Sequence, residues 1–231
     1  MTSFPNVNNK FLFLIPASPN KENVEDELAQ RSTWIRRLPN NCQYLYIRGG
    51  SKTAHYDGKY LWLTCNENDL LSKTILGLHW AFQFFSFKFI IRTNVSTYFE
   101  AEYLDRLLPN LDNKSFLGGY VDQVSSNRPL DYAGLKFAAG TGIFLNKNSA
   151  LTLLEMPMAE YFGWPDDVAI SDYLQRRGIP LSRIHRGNIH IHKVAFPKPY
   201  MRCKSSTQPN LASVRMKYLN DFYTSRSSLA K

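Results

Sequence analysis

Short apolar runs alternate along this chain with segments in which apolar residues recur every three or four positions. The apolar, aromatic and β-branched runs are typical of strands and cover residues 11–15, 43–48, 59–64, 87–92, 116–121 and 142–145. The periodic segments predict helices over residues 24–38, 71–85, 98–108, 147–155 and from residue 166 onward, with Asn66 and Asn68 as candidate caps of the second. The alternation favours an α/β fold, a single Rossmann-like domain with a mostly parallel central sheet flanked by helices.

The last part of the chain departs from this alternation. Residues 189–192 alternate isoleucine and histidine and predict a further strand, and a basic helix is expected over residues 211–223. We therefore expect a domain over residues 1–200 and a C-terminal extension over residues 201–231 that is helical or partly disordered. The polar, turn-rich residues 122–135 are expected to form a loop over a site.

Composition narrows the class of protein. A chain of 231 residues, of which 44% are hydrophobic, can bury a substantial core. Its three cysteines, Cys42, Cys65 and Cys203, are odd in number and far apart, which argues against a disulfide scaffold and against a zinc knuckle. They fit a reducing compartment, so we expect a soluble cytoplasmic protein unless a membrane anchor has been removed. No apolar run of about 18 residues is available to span a membrane.

The charge balance favours anionic partners. The chain has 28 Lys and Arg against 19 Asp and Glu, a net charge of +9. Nucleic acid, a nucleotide diphosphate, an acidic glycan and an anionic lipid all fit such a surface. The basic residues are scattered, however, and no nucleic-acid-binding motif accompanies them. We therefore expect no nucleic-acid partner, and the charge by itself does not choose among the others.

Two adjacent carboxylates, Asp166 and Asp167, precede the helix that contains Ile170, Tyr173 and Leu174. A carboxylate at a helix N-terminus is held in place and remains within reach of a ligand. The pair could equally be an ordinary acidic helix cap, because first-turn acids are common and need no function.

Several short motifs in a fixed order carry a resemblance to a known family. They are R-x-x-W at residues 31–34, K-T at 73–74, G-L-x-W-A at 77–81, A-G-T-G-I-F-L at 139–145, P-D-D-V at 165–168 and I-H-I-H at 189–192. In this order they resemble the β-1,3-galactosyltransferase and fringe group of glycosyltransferases, over roughly residues 11–193. The resemblance implies a GT-A fold, a nucleotide-diphosphate sugar donor, usually UDP-linked, a glycan or glycoprotein acceptor, and inversion at the anomeric carbon.

The resemblance also assigns roles to individual residues. Asp167 takes the place of the catalytic base, and Asp166 and Trp164 become candidate substrate contacts, although Trp164 could instead be a core aromatic. A donor pocket is expected where strand 87–92 ends, near the turn at 140–142, because ligands of α/β sheets collect at the carboxyl ends of strands. Its candidate residues are Arg31, Arg92, Thr93, Asn94, Ser96, Gly140, Thr141 and Gly142.

The sequence departs from the family at the metal site. Asn94, Val95 and Ser96 stand where the family has an acidic triplet that holds Mn²⁺. Neutral amide and hydroxyl oxygens bind a hard divalent ion much less well than carboxylates. Cofactor use is therefore open: we expect either none, or Mn²⁺ or Mg²⁺ bound weakly with the diphosphate, with His192 and Ser96 as tentative ligands. Arginine or lysine, for example Arg92 or Lys193, could neutralise the diphosphate instead.

Three functions remain open at this level. The first is an inverting glycosyltransferase that uses a UDP-sugar. The second is a catalytically silent module of the same fold that binds a sugar nucleotide or glycan. The third, a basic nucleic-acid-binding protein, is allowed by the charge and supported by no motif.

Overall fold

Alternating strands and helices build the chain, as the pattern predicts. The computed structural model describes residues 8–100, 104, 115–127, 131–189, 198, 200–204 and 211–229. Its strands are β1 Asn8–Pro16, β2 Cys42–Arg48, β3 His55–Tyr56, β4 Tyr60–Trp62, β5 Ser86–Arg92, β6 Thr97–Phe99, β7 Leu117–Gln123, β8 Lys136–Asn146, β9 Leu181–Arg183, β10 Gly187–Asn188 and β11 Tyr200–Arg202. Its α-helices are α1 Lys21–Ser32, α2 Leu70–Phe84, α3 Lys147–Leu153, α4 Asp166–Arg176 and α5 Ala212–Leu229.

One large sheet organises the domain. Among the described residues it has eight strands in the order β3-β4-β2-β1-β5-β8-β7-β9. Strands β4, β2, β1 and β5 run parallel, so their carboxyl ends meet at one edge. Strand β8 runs antiparallel to β5 and pairs Ile143 with Arg92. This register places the segment 140–142 beside the residues that follow β5, where the donor pocket was expected.

The central strand explains why the apolar runs are continuous rather than alternating. In β1, Phe11, Phe13 and Ile15 face one core, and Leu12 and Leu14 face the other. A strand that is buried on both faces must be apolar at every position. One core lies under α2, α3 and α4, and the other includes Trp34, a second small sheet of β10, β11 and β6, and one face of α5.

The structure corrects two predictions about helices, one about the cap of α2 and one about the helix expected from residue 98. Helix α2 is capped by Asp69, whose carboxylate accepts the Ser72 N–H at 2.9 Å, and not by Asn66 or Asn68. The helix predicted from residue 98 is wrong at its start, because residues 97–99 form β6. Of its remaining positions, Glu100 and Leu104 are described. Leu104 is helical and buried, and the others lie outside the described residues.

Helix α1 ends at Ser32, earlier than the apolar spacing indicates, and a 3₁₀ turn covers Ile35–Arg37. Its buried positions include Glu27 and Gln30, whereas Leu28 is 55% exposed. The helix therefore turns a polar face inward, because Tyr46 and Tyr60 offer hydroxyl partners there. The spacing of apolar residues could not predict this buried polar face of α1.

The segments that we assigned to a C-terminal extension pack on the domain. Strand β11 pairs antiparallel with β6, and the Cys203 N–H donates to the Ser96 carbonyl at 3.0 Å. Helix α5 lies against α1 and buries Ala212, Met216, Leu219 and Tyr223 at helical spacing. Residues 190–192 of the predicted I-H-I-H strand and residues 128–130 of the predicted loop lie outside the described residues. No helix among the described residues is long and apolar enough to cross a membrane.

Removal of the Met216 side chain should measure how far α5 contributes to the fold. Met216 is fully buried, so Met216→Ala should lower the free energy of unfolding by about 2–5 kcal/mol through lost burial and a residual cavity. Val214 lies on the same helix but is 55% exposed, so it provides the control. Val214→Ala should change the free energy of unfolding by no more than about 0.5 kcal/mol. Urea denaturation of both variants gives the comparison. Equal effects would mean that α5 does not contribute to the core.

Candidate functional site

Arg92, the last residue of β5, connects the predicted site residues. Its side chain is 2% exposed. Nη2 lies 2.6 Å from the Asp166 carboxylate, and Nη1 donates to the Gly140 carbonyl at 2.6 Å and to Asn94 Oδ1 at 2.5 Å. One guanidinium therefore joins the ends of β5, β8 and α4. Thr74 of α2 adds a hydroxyl donor to Asp166 at 3.3 Å.

The two aspartates differ in their surroundings. Asp166 is buried and ion-paired, whereas Asp167 is only partly buried and has no cation in direct contact among the described residues. The Asp167 carboxylate accepts two backbone hydrogen bonds, from the Gly140 N–H at 2.9 Å and from the Val168 N–H at 3.0 Å. Burial raises the pKa of Asp167 above its usual value; the adjacent Asp166 raises it further and Arg92 partly opposes the shift. Asp167 is thus the oriented carboxylate with raised basicity.

Glycine is required at position 140 by close approach. A Cβ there would lie 2.7 Å from Arg92 Nη1 and 3.3 Å from Asp167 Oδ2. A Cβ at Gly142 would lie 2.8 Å from the Tyr200 ring. The two glycines therefore admit a guanidinium and an aromatic ring from other segments. The turn expected at residues 140–142 is wrong, because both glycines lie within strand β8.

Arg186 is a further cation at this segment that the sequence did not point to. Thr93 Oγ1 donates to the Thr141 carbonyl at 2.8 Å, and Arg186 Nη1 donates to Thr141 Oγ1 at 3.0 Å. The Arg186 guanidinium also lies 3.9 Å from the Tyr120 ring centroid. Arg186 stands in no motif, and only the tertiary structure brings it to Thr141.

Two cavities flank this network. The smaller, about 330 Å³, is bordered by the ends of β1 and β5, the first turns of α1, and Lys204. Asn94, Val95 and Ser96 line it, as do Lys73 and Asp26. Lys73 is ion-paired with Glu67 at 2.6 Å. Burial raises the pKa of Asp26 to about 7, although Lys204 opposes the shift.

The larger cavity, about 700 Å³, lies between the start of α2 and the segment before α4. Asp166 and Trp164 line it. Because Arg92 binds both Asp166 and Asn94, its guanidinium lies between the linings of the two cavities.

The remaining predicted residues are placed as follows. Trp164 is neither free nor deep in the core: its ring packs against Tyr132 at 4.7 Å and Tyr161 at 5.2 Å between centroids. Arg31 lies in the last turn of α1, away from the first turns that border the smaller cavity. It pairs with Glu27 at 2.9 Å and stacks 4.2 Å from the Tyr46 ring centroid. His192 and Lys193 lie outside the described residues.

The residues present fit a tightly held divalent ion poorly. The Asn94 side-chain oxygen already accepts from the Arg92 guanidinium, whose positive charge would oppose a cation there. Val95 offers no side-chain ligand, and Ser96 is buried. Within the described part of the chain, no group of three or more His, Cys, Asp or Glu side chains is placed to bind a metal.

The comparisons with known proteins concern the fold. No family model matches the sequence, and a sequence search of curated proteins finds no match either. A glycosyltransferase involved in the glycosylation of the major capsid of PBCV-1 is similar in structure, with a TM-score of 0.52 at 9% identity over 90% of this chain and 99% of that one. The galactosyltransferase LgtC, in complex with donor and acceptor sugar analogues, has a TM-score of 0.53 at 11% identity over 91% of this chain and 95% of its own.

A third similar structure is the 4-diphosphocytidyl-2C-methyl-D-erythritol synthase of Anaerococcus prevotii, with a TM-score of 0.51 at 12% identity over 91% of this chain and 99% of that one. Identities this low carry the fold alone. The predicted fold class is therefore confirmed: a single α/β domain of GT-A type with a large, mostly parallel sheet.

The Arg92–Asp166 pair should prove strongly coupled. Arg92→Met leaves the Asp166 carboxylate buried without its cation, so the variant should lose about 3–5 kcal/mol in free energy of unfolding at neutral pH. Arg92→Met with Asp166→Asn removes that buried charge and should recover part of the loss. Urea denaturation of the two single variants and the double variant provides the cycle. Additive losses would show that the pair is not coupled.

Proposed function

We propose that this protein is an inverting glycosyltransferase that moves a sugar from a nucleotide diphosphate, UDP in our proposal, to a glycan hydroxyl. The observation that carries the proposal is the Asp167 carboxylate, which two backbone N–H groups hold and whose pKa is raised, beside a network that joins two cavities. The likeness to two glycosyltransferase folds and the order of the sequence motifs support it.

In the proposed reaction, Asp167 accepts the proton of the acceptor hydroxyl while the hydroxyl oxygen attacks the anomeric carbon. The bond from that carbon to the diphosphate oxygen breaks, and the nucleotide diphosphate leaves with the electron pair from the opposite face. A base with a raised pKa suits this role because a more basic carboxylate removes a hydroxyl proton more effectively. Asp166 acts by holding Arg92, which in turn holds the Gly140 carbonyl next to Asp167.

We place the donor in the smaller cavity. Asn94, Ser96, Lys73 and Lys204 line it, and the N-terminus of α1, the positive end of the helix dipole, borders it. Arg92 is committed to protein acceptors and Lys73 to Glu67, so we assign neutralisation of the departing diphosphate to Lys204 of this cavity and to Arg186, which lies beside Thr141 outside its lining. Thr93, Gly140, Thr141 and Gly142 then shape the donor side of the site. For Arg31 the contacts indicate a structural role in α1 packing, and its donor role remains a prediction.

A silent sugar-nucleotide or glycan-binding module is the second candidate. The specific observation in its favour is the neutral triplet Asn94-Val95-Ser96 in place of the family's acids. Both candidates predict nucleotide-sugar binding, but only a transferase releases UDP from a UDP-sugar, by transfer or by slow hydrolysis. UDP release across a panel of nucleotide sugars therefore separates them.

The Asp167→Asn variant tests the catalytic base. The amide keeps the size of the side chain but cannot take up the proton, so kcat should fall by about 100-fold or more while UDP binding persists. For the wild type, kcat should decline as pH falls through the Asp167 pKa, which lies above the ordinary aspartate value of 3.8. Asp221→Asn, an exposed substitution on α5, is the matched control and should retain wild-type turnover. Near-normal turnover of Asp167→Asn would remove Asp167 from this role.

Metal dependence should be weak. Because neutral oxygens and a guanidinium occupy the triplet position, we expect activity either to survive EDTA or to need divalent metal in the millimolar range. If a metal effect remains, His192→Ala should reduce it. Titration calorimetry of the apo protein with Mn²⁺ gives a readout that does not depend on activity. Micromolar affinity there would contradict the prediction.

A further inference from the structure

The larger cavity has a lining without positive charge. It is formed by residues 66–72 at the start of α2 and by residues 158–166 before α4. Asp69 and Asp166 are its charged members, and no lysine or arginine is among the described residues that line it. The smaller cavity, by contrast, is lined by two lysines, Lys73 and Lys204, together with three acidic residues, Glu22, Asp26 and Glu67, and the N-terminus of α1 borders it. The cations and the helix N-terminus that could bind a diphosphate therefore belong to the smaller cavity, and the larger one offers an anion no cation among its described lining residues.

Aromatic rings form one wall of the larger cavity. Phe162 is 90% exposed, so most of its apolar ring is in contact with water. Phenylalanine side chains are usually buried. The next residue, Gly163, has a φ of 80° and turns the chain so that Phe162 remains outside the core. Trp164 is held on one side by Tyr161, whose hydroxyl donates to Asp172 at 3.0 Å. The wall is thus a fixed tryptophan beside an exposed phenylalanine.

The segment at the start of α2 contributes both neutral polar and apolar side chains to the lining. Asn66, Asn68 and Ser72 line the cavity beside Leu70 and Leu71, while Asp69 is engaged as the α2 cap. Amide groups and aromatic rings together suit a ligand that has both an apolar face and a rim of hydroxyls. A saccharide ring has this arrangement, whereas a lipid chain would leave the amides unpaired. The volume of about 700 Å³ lies within the range of roughly 300–1,000 Å³ for small-molecule pockets.

The position of this cavity relates it to the reaction. Asp166 lines it and is followed by Asp167, and the Arg92 guanidinium connects its lining to Asn94 in the smaller cavity. Asn68 and Leu70 line both cavities, so a ligand here would lie next to the donor that we place in the smaller one. We propose that the larger cavity is the acceptor subsite, that it takes a neutral saccharide, and that Phe162 and Trp164 form its apolar platform. The acceptor role rests on the proposed function; the binding of a neutral saccharide does not.

Saturation-transfer difference NMR tests the proposal with lactose, cellobiose and maltose as probes, in the presence of UDP. We expect transfer to the ring C–H protons of at least one disaccharide with the wild type, and a signal at least about five-fold weaker with Phe162→Ala. Phe162 is exposed, so its truncation should not affect folding, which urea denaturation verifies. Val214→Ala, which also truncates an exposed apolar residue, is the matched control and should retain the full signal.

The outcomes separate this proposal from the proposed function. No transfer to any of the three disaccharides, or an equal signal with Phe162→Ala, overturns the assignment of the cavity. UDP release from UDP-sugars is measured on the same wild-type samples. Release without Phe162-dependent saccharide binding would leave the transferase proposal standing and remove this subsite. Phe162-dependent binding without UDP release would support a saccharide-binding cavity and count against transfer.

Discussion

The buried guanidinium of Arg92 is the interaction on which the site depends. A charge with 2% exposure is tolerated only when opposite charge and acceptors surround it, and Asp166 together with the Gly140 carbonyl meet that need. Each partner comes from a different element, so β5, β8 and α4 are held in one arrangement. That arrangement in turn sets the orientation of Asp167. The Gly140 residue that offers its carbonyl to Arg92 also offers its N–H to the Asp167 carboxylate.

The antiparallel strand within the sheet makes this convergence possible. A parallel strand would bring its carboxyl end to the edge where Arg92 emerges, whereas β8 passes that edge in its middle, with Ile143 opposite Arg92. Backbone N–H and C=O groups of the segment 140–142 can then serve as ligands there without a loop. Tyr200, from the three-stranded sheet, packs against Gly142, and its hydroxyl oxygen accepts a hydrogen bond from the Tyr120 N–H at 2.8 Å. The C-terminal segment therefore contacts both β8, at Gly142, and β7, at Tyr120.

The two cavities differ in whether cations line them, because different elements border them. The first turns of α1 and the lysines Lys73 and Lys204 border the smaller one, and an aromatic segment that precedes α4 borders the larger one. The division matches the chemistry of a transfer between an anionic donor and a neutral acceptor. The proposed base follows Asp166, which lines the larger cavity and binds the Arg92 guanidinium, so proton removal is proposed beside the larger cavity and departure of the diphosphate in the smaller one.

The local sequence determined most of the strands, because burial on both faces requires apolar runs such as residues 11–15 and 87–92. It also determined most of the helices, and the alternation of the two indicated the α/β fold. It also marked Asp166, Asp167, Arg92 and Gly140 as candidates. It did not distinguish the two aspartates, because only the folded chain pairs Asp166 with Arg92 and leaves Asp167 to backbone donors. It wrongly predicted helix at residues 98 and 99, whose strand conformation comes from pairing with residues 200 and 201 far along the chain. The roles of Arg186 and Phe162 were likewise decided by tertiary structure, since proximity and exposure depend on contacts between distant segments and leave no local pattern.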